Sequence, residues 1–158
     1  MFSKQDQAGY FSKKNKRSVR INSADKHFSK FVRLRDTVKI IDGVPYCKCV
    51  TCSKIAPVKE MTNGHFVKRN RTATRFNEQN CHAQCISCNS FEDGREYKHA
   101  KEIDKKYGSG TADKLQALGA ARGARSKLEK YRLKEIADKY KEKVKEKEKE
   151  LGILGYFK

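Results

Sequence analysis

Two cysteine pairs, Cys49-Val-Thr-Cys52 and Cys85-Ile-Ser-Cys88, stand with 32 residues between them (53–84) in a chain of 158 residues. Each pair can present two sulfurs to one ion, and two such pairs compose the four-thiolate tetrahedron that suits zinc, tying two distant segments together. Between and beside them lie Gly64-His65-Phe66, Asn80 and Asn89. Hydrolysis of a phosphodiester with a single catalytic ion needs a base that takes a proton from water, a cation at the leaving oxygen, and a group that holds the base in one tautomer. His65 as base, Asn89 as ligand of a divalent ion and Asn80 as the orienting group can supply these, with Arg75 as the candidate for stabilising charge in the transition state. Asn80 and Asn89 taken singly are ordinary turn residues. Their joint spacing, with Cys85 and Cys88 enclosed between them, is what carries the reading.

Such a site needs a hairpin and a helix to hold it. Segments from 44 to 91 are short, rich in β-branched and aromatic residues and broken by Gly and Asn, which predicts small strands around the cysteine pairs. Alternation puts Asn80, His82 and Gln84 on one strand face and Cys81 and Ala83 on the other. His65 then falls on the first strand, Asn80 on the second, and Asn89 at the start of the next helix. Ahead of this core, Ser23 is a candidate N-cap for an amphipathic helix over about 23–38, ended by Gly43 and Pro45. A second helix is predicted over about 95–107, stopped by Gly108. Thr111 can cap a third, bearing Leu115 and Leu118. A longer one, about 126–150, carries a seam of Leu133, Ile136, Ala137, Tyr140 and Val144, extended to Leu151, that needs a partner. Its charged end, 141–150, has like charges at i,i+4 and is expected to fray alone.

Only 37% of the residues are apolar while 35% are charged, so one small core with solvated helices and tails is expected, with a metal standing in for missing core. A net charge of +18 favours a polyanion partner, nucleic acid first. Residues 1–39 hold 11 basic and 3 acidic side chains, whereas 40–94 hold 7 and 5, so grip on nucleic acid is delegated to the flanks. The candidate contacts are Lys13, Lys14, Lys16 and Arg17 in the N-terminal arm, Arg33 and Arg35 on the first helix, and Lys68, Arg69 and Arg71 after His65. No apolar stretch reaches membrane-spanning length and no leader is apparent, so a cytoplasmic protein is expected. In that reducing compartment six cysteines are ligands or free thiols, not disulfides. Cys47 and Cys81 fall outside the pairs and read as small hydrophobes, Cys47 being the alternative to Cys49 as ligand. His27 and His99 read as surface residues.

The strand–strand–helix placement of His65, Asn80 and Asn89 resembles the ββα-metal core of the HNH endonuclease superfamily, with Asn in place of the final His. Phe31-Val32-Arg33-Leu34-Arg35-Asp36, Gly64-His65-Phe66, Ala73-Thr74-Arg75-Phe76-Asn77, Asn80-Cys81-His82-Ala83-Gln84-Cys85 and Lys106-Tyr107-Gly108 are similar in order and spacing to the phage NinG/Rap recombination proteins, over about residues 23–110. That resemblance implies action on branched DNA, such as Holliday junctions and strand-invasion intermediates, with a divalent ion during phage recombination. Many HNH members place an acidic ligand just before the catalytic His. Here that position is Gly64, so the ion, Mg²⁺ or Mn²⁺, depends on Asn89, water and DNA phosphate, as in the His-Cys box nucleases the site also resembles, with His82 as a possible auxiliary ligand.

The expectation is therefore an α+β protein: a basic arm (1–22), a ββα-metal (HNH-like) core with one structural zinc and flanking helices (23–110), and a C-terminal helical region (111–158) for dimerisation or DNA contact. The expected activity is structure-selective endonucleolytic cleavage of branched DNA, a homodimer being one way to make paired incisions. The rival is a non-catalytic zinc module that binds DNA or recruits a partner; it needs the cysteines but not His65 or Asn89. Deleting residues 1–20, which hold six basic side chains and Asp6, should make log affinity less steep in log salt by about 0.9 for each lost duplex-phosphate contact, with cleavage at saturating DNA retained. Salt titrations that superimpose would make the arm a passive tail.

Overall fold

The structure, a computed structural model, describes residues 22–124 and 126–158; the basic arm and its Lys13, Lys14, Lys16 and Arg17 lie outside them. Helix α1 runs Asn22–Arg35, starting one residue before the proposed cap Ser23 and stopping short of position 38. The β-branched run that follows is not helix. Thr37–Ile41 (β1) and Val44–Lys48 (β2) form an antiparallel hairpin in which Ile41 faces Val44 across Asp42 and Gly43. Both turn residues have positive φ, 49° and 74°, the conformation a two-residue hairpin turn requires and an Asp-Gly pair readily adopts. Gly43 and Pro45 thus belong to a hairpin rather than to a helix end. Strand β3, Ile55–Pro57, pairs with β2 to complete the first sheet.

A second, two-stranded sheet is made by β4, Met61–His65, and β5, Cys81–Cys85, antiparallel with His65 opposite Cys81 and Gly64 opposite His82. Between them lies a loop with one helical turn, α2, Thr72–Arg75. After β5 comes a single wide turn, Ser87–Phe91, then α3, Glu96–Tyr107, ended at Gly108 with φ of 104°. Helix α4, Thr111–Ala120, begins at Thr111, whose hydroxyl donates back to Gly108 O at 2.7 Å instead of capping forward. Leu115 is buried there and Leu118 is 44% exposed. The last helix, α5, spans Lys130–Glu150.

Strand β5 is buried on both faces. One face, with Cys81, Ala83 and Cys85, joins Phe28, Phe31, Val32 and Leu34 of α1 in the main core. The other meets α3, where His82 Nδ1 lies 3.1 Å from His99 Nε2 and His82 Nε2 lies 3.2 Å from Tyr107 Oη. His99 is therefore no surface residue: it is fully buried, and burial lowers its pKa to about 4, that of His82 to about 3. The end of α1 pins β5 as well. Arg35 forks onto Asp36 and donates to the carbonyls of Glu78 and Cys81, while Asp36 accepts from Ala83 N at 2.9 Å. Burial alone would raise the Asp36 carboxyl, but the hydrogen bonds and charge of Arg35 outweigh it and hold it low.

The seam of α5 finds its partner inside the chain. Ala137, Tyr140 and Val144 are buried, and the Tyr140 ring lies 4.7 Å from Phe28 and 5.3 Å from Phe31 of α1. The charged end does not stand alone either, since buried Glu148 accepts from Gly155 N and Phe157 N, each at 2.9 Å, and Phe157 folds back beneath Lys30 and Arg33. A homodimer would have to use another surface. Tyr140→Ala should lower stability by about 3–5 kcal/mol, as expected for removing a buried ring, read as a shifted urea midpoint; a variant that altered only sedimentation would contradict this packing.

Candidate metal and nucleic-acid site

The first cysteine pair occupies the turn between β2 and β3, and the second closes β5. Cys49 N bonds Lys54 O at 2.7 Å, Ser53 N bonds Cys49 O at 3.0 Å, and Val50 N reaches across to Ala83 O at 2.9 Å, so the two sheets are already in register at the turn. The ligand sulfurs of Cys49, Cys52, Cys85 and Cys88 all lie within 4.8 Å of one another, with Cys52 and Cys85 at 3.7 Å. Sulfurs about 2.3 Å from a tetrahedral zinc would be roughly 3.8 Å apart. The four cysteines could hold a zinc ion. Burial would raise the Cys49 thiol, but hydrogen bonds from the Thr51 hydroxyl and Cys85 N outweigh it and hold it below its ordinary value, while burial raises Cys52 and Cys88. Cys47 lies in the core instead, pushed up to about 12 mainly by burial, and Cys81 is raised the same way. Neither joins the sulfur cluster, which fixes Cys49 and not Cys47 as its member.

Gly64, just before His65, has a packing reason. A Cβ there would come within 2.8 Å of the Gln84 Cβ on the facing strand. Gln84 is fully buried and spans the joint, donating to Thr51 Oγ1 at 3.0 Å and to Gly94 O at 2.8 Å. An acidic side chain at position 64 would displace it.

His65 ends β4. Its Nε2 stands 3.0 Å from the carbonyl oxygen of Arg75. A carbonyl only accepts, so Nε2 carries the proton and Nδ1 keeps its lone pair. Burial lowers the His65 pKa to about 4, leaving the ring neutral near pH 7. Asn80 does not touch that ring. It is fully buried, accepts from Val67 N at 2.7 Å and donates to Val67 O and Thr74 O at 3.1 Å each, fastening the loop that carries the Arg75 carbonyl. Its hold on His65 is indirect, through the next residue's backbone.

His65 and Asn89 line one cleft of about 540 Å³, with Asp25, Ser29 and Arg33 of α1, Met61, Thr62 and Asn63 of β4, Lys68 and Arg69 of the loop, and Asp93 and Gly94. Arg75 is not among them. Its guanidinium forks onto Asp25 at 3.0 and 2.8 Å, and Arg69 shares the same carboxylate at 2.7 Å. Arg33 donates to Ser29 O, Val58 O and Met61 O, and Arg35 is spent on Asp36 and β5, so neither is a free phosphate contact. Lys68 and Arg69 are exposed at the cleft, and Arg71 is half-buried beyond it. His82, suggested as an auxiliary ligand, has both ring nitrogens engaged by His99 and Tyr107.

Among the cleft's polar groups, Asp25, Asn63 and Asp93 carried no sequence expectation. Asn63 was within reach, because two residues from His65 on a strand means the same face. Its Oδ1 is buried and has no hydrogen-bond partner among the described residues. Asp25 pairs with an arginine 50 positions away, which no local pattern signals.

A family signature, described as Bacteriophage Lambda NinG protein, matches residues 4–150. The chain belongs to the NinG family. Nothing among curated proteins or solved structures matches it. The NinG match takes in the cysteine cluster, the cleft and all of α5. Among the described residues no helix is long and apolar enough to cross a membrane.

If the cluster is a zinc site, this NinG chain should contain one zinc per molecule, and Ser at Cys49 or Cys88 should lose both metal and cooperative unfolding, since metal binding here is folding energy. Elemental analysis of protein purified without chelator showing no stoichiometric zinc would remove that reading.

Proposed function

We propose that this NinG protein is a divalent-ion-dependent endonuclease of branched DNA in phage recombination, with His65 as general base in a zinc-supported ββα-metal core. The observation that carries the reading is the state of His65: a neutral imidazole with Nε2 tied to a backbone carbonyl and Nδ1 left as acceptor, in a cleft shared with Asn89 and the exposed cations of Lys68 and Arg69. Family membership and the HNH-like order of residues support the substrate class.

The oxygen donors around the cleft suit a hard cation. Asn89, Asn63 and Asp93 line it, and Asn63 Oδ1 is an orphaned acceptor. Asn89 and Asn63 would hold Mg²⁺ or Mn²⁺, which when bound stabilises negative charge on the departing oxygen. His65 Nδ1 takes the proton of a water whose oxygen attacks phosphorus as the ester bond to the leaving oxygen breaks. The Arg75 carbonyl keeps the ring in the required tautomer while the base becomes cationic. Lys68 and Arg69 bind neighbouring phosphates, Arg69 while bridged to Asp25. Arg75 acts by holding Asp25 and its own carbonyl in place, a positioning role distinct from direct contact with the phosphate.

Under single-turnover conditions His65→Ala should lower junction cleavage by about 10²–10⁴-fold with affinity and zinc content kept, and Asn89→Ala should lose the response to added Mg²⁺. The pH dependence carries a sign. Because burial depresses the His65 pKa from 6.5 to about 4, the base is competent on both sides of pH 6.5, and its limb of the rate profile should fall only as pH approaches about 4. A purified His65→Ala protein that cut at the wild-type rate would overturn the assignment of His65 as base, whereas a wild-type protein that bound junctions and never cut them would leave the zinc-dependent binding module as the better reading.

A further inference from the structure

Two aromatic rings beside the cleft have no part in the chemistry above. Phe91 is 81% exposed and Tyr97 72%, whereas Phe28, Phe31, Phe66 and Tyr140 are buried in the core. Phe91 ends the wide turn Ser87–Phe91 that carries Asn89. Two residues further on, Asp93 and Gly94 again line the cleft. With about 3.8 Å between successive Cα atoms, the Phe91 backbone lies within about 8 Å of cleft residues on both sides. Tyr97 stands on the first turn of α3, with Lys101 Nζ 4.5 Å from its ring centre.

We propose that Phe91, assisted by Tyr97, is a stacking platform for bases left without a neighbour at a DNA branch point, and that it sets the preference for branched over linear DNA. The inference rests on the reading of the cleft as a site for branched DNA. Bases, not phosphates, are the better match to this surface because its charges cancel: Arg95, Lys98 and Lys101 are set against Glu92, Asp93 and Glu96. Arg95 is moreover bound to Glu92. Backbone grip comes from Lys68 and Arg69 on the other side of the cleft. An exposed ring with no net field around it gains by covering another flat apolar face, and stacking on a base does this for any sequence. In a linear duplex every base face is already covered by its neighbours. At a branch the innermost pairs have an open face or can be parted at low cost, as when apolar side chains wedge between base steps. A ring fixed two residues from the metal-ligand asparagine would then seat the branch point at a set distance from the cut.

The test uses zinc-loaded full-length protein, without added Mg²⁺, and a four-way junction carrying 2-aminopurine at the branch point, with a matched linear duplex labelled at the same sequence position. Wild-type protein is expected to change the junction's fluorescence and to leave the duplex signal unaltered. Phe91→Ala should abolish the change and reduce the affinity ratio of junction to duplex by about tenfold, while Phe91→Trp restores both; zinc content and circular dichroism confirm the fold. A Phe91→Ala protein with the wild-type signal and ratio would overturn the proposal, as would equal loss of affinity for both DNAs or no branch-point signal from wild type. Preserved DNA behaviour in Phe91→Ala would instead assign the ring to a protein surface. A Phe91-dependent signal in a protein that fails to cut with Mg²⁺ would uphold the platform and reject the nuclease.

Discussion

The four sulfurs of Cys49, Cys52, Cys85 and Cys88 form the joint on which the rest of the molecule depends. One pair belongs to the sheet of β1–β3, the other to the β4–β5 hairpin and the turn bearing Asn89. Without an ion, four thiols in contact gain little, and as they ionise their like charges repel. With one, the turn that carries Asn89 is fixed beside Cys88. The protein part of the joint is already prepared. Gln84 crosses from Thr51 to Gly94, filling the space a side chain at Gly64 would need, so strand pairing, sulfur cluster and cleft wall share the same few atoms.

The far end of the hairpin is fixed by different means. Asn80 staples the 67–74 loop, the Arg75 carbonyl receives His65, and the Arg75 side chain reaches Asp25 on α1. Helix α1 in turn holds β5 through Arg35 and Asp36 and is itself covered by α5. The proposed site of Asn63, Asn89 and His65 thus rests on contacts from most of the described chain. This explains why so many of its basic residues are not on a free surface: several are bonded to backbone carbonyls or carboxylates and position other groups.

Much of this was legible in the sequence because it follows from spacing. The paired CxxC motifs bring four sulfurs together, the short strands lie around them, and the seam of α5 is buried at the spacing its apolar residues require. The C-terminal end of α3 follows from Gly108. Other features were lost to competing local signals. The apolar stripe of α1 leads on into Val38, whereas the Asp42-Gly43 turn diverts that stretch into a hairpin. Long-range partners were invisible. Arg75 reads as a free cation until Asp25 is brought beside it, and His99 reads as a surface residue on a polar helix until β5 sets His82 against it. Asn63 was legible by strand periodicity and was passed over for its neighbour, Gly64.

In the proposed function these parts act together on a branched phosphodiester backbone. The most direct measurement of that action is incubation of the zinc-loaded protein with a synthetic Holliday junction and a linear duplex of the same sequence, with Mg²⁺ or Mn²⁺ added, resolved on denaturing gels. Nicks near the branch point of the junction, absent from the duplex and absent when the divalent ion is withheld, are the predicted result. An intact junction at saturating protein and either metal would contradict it.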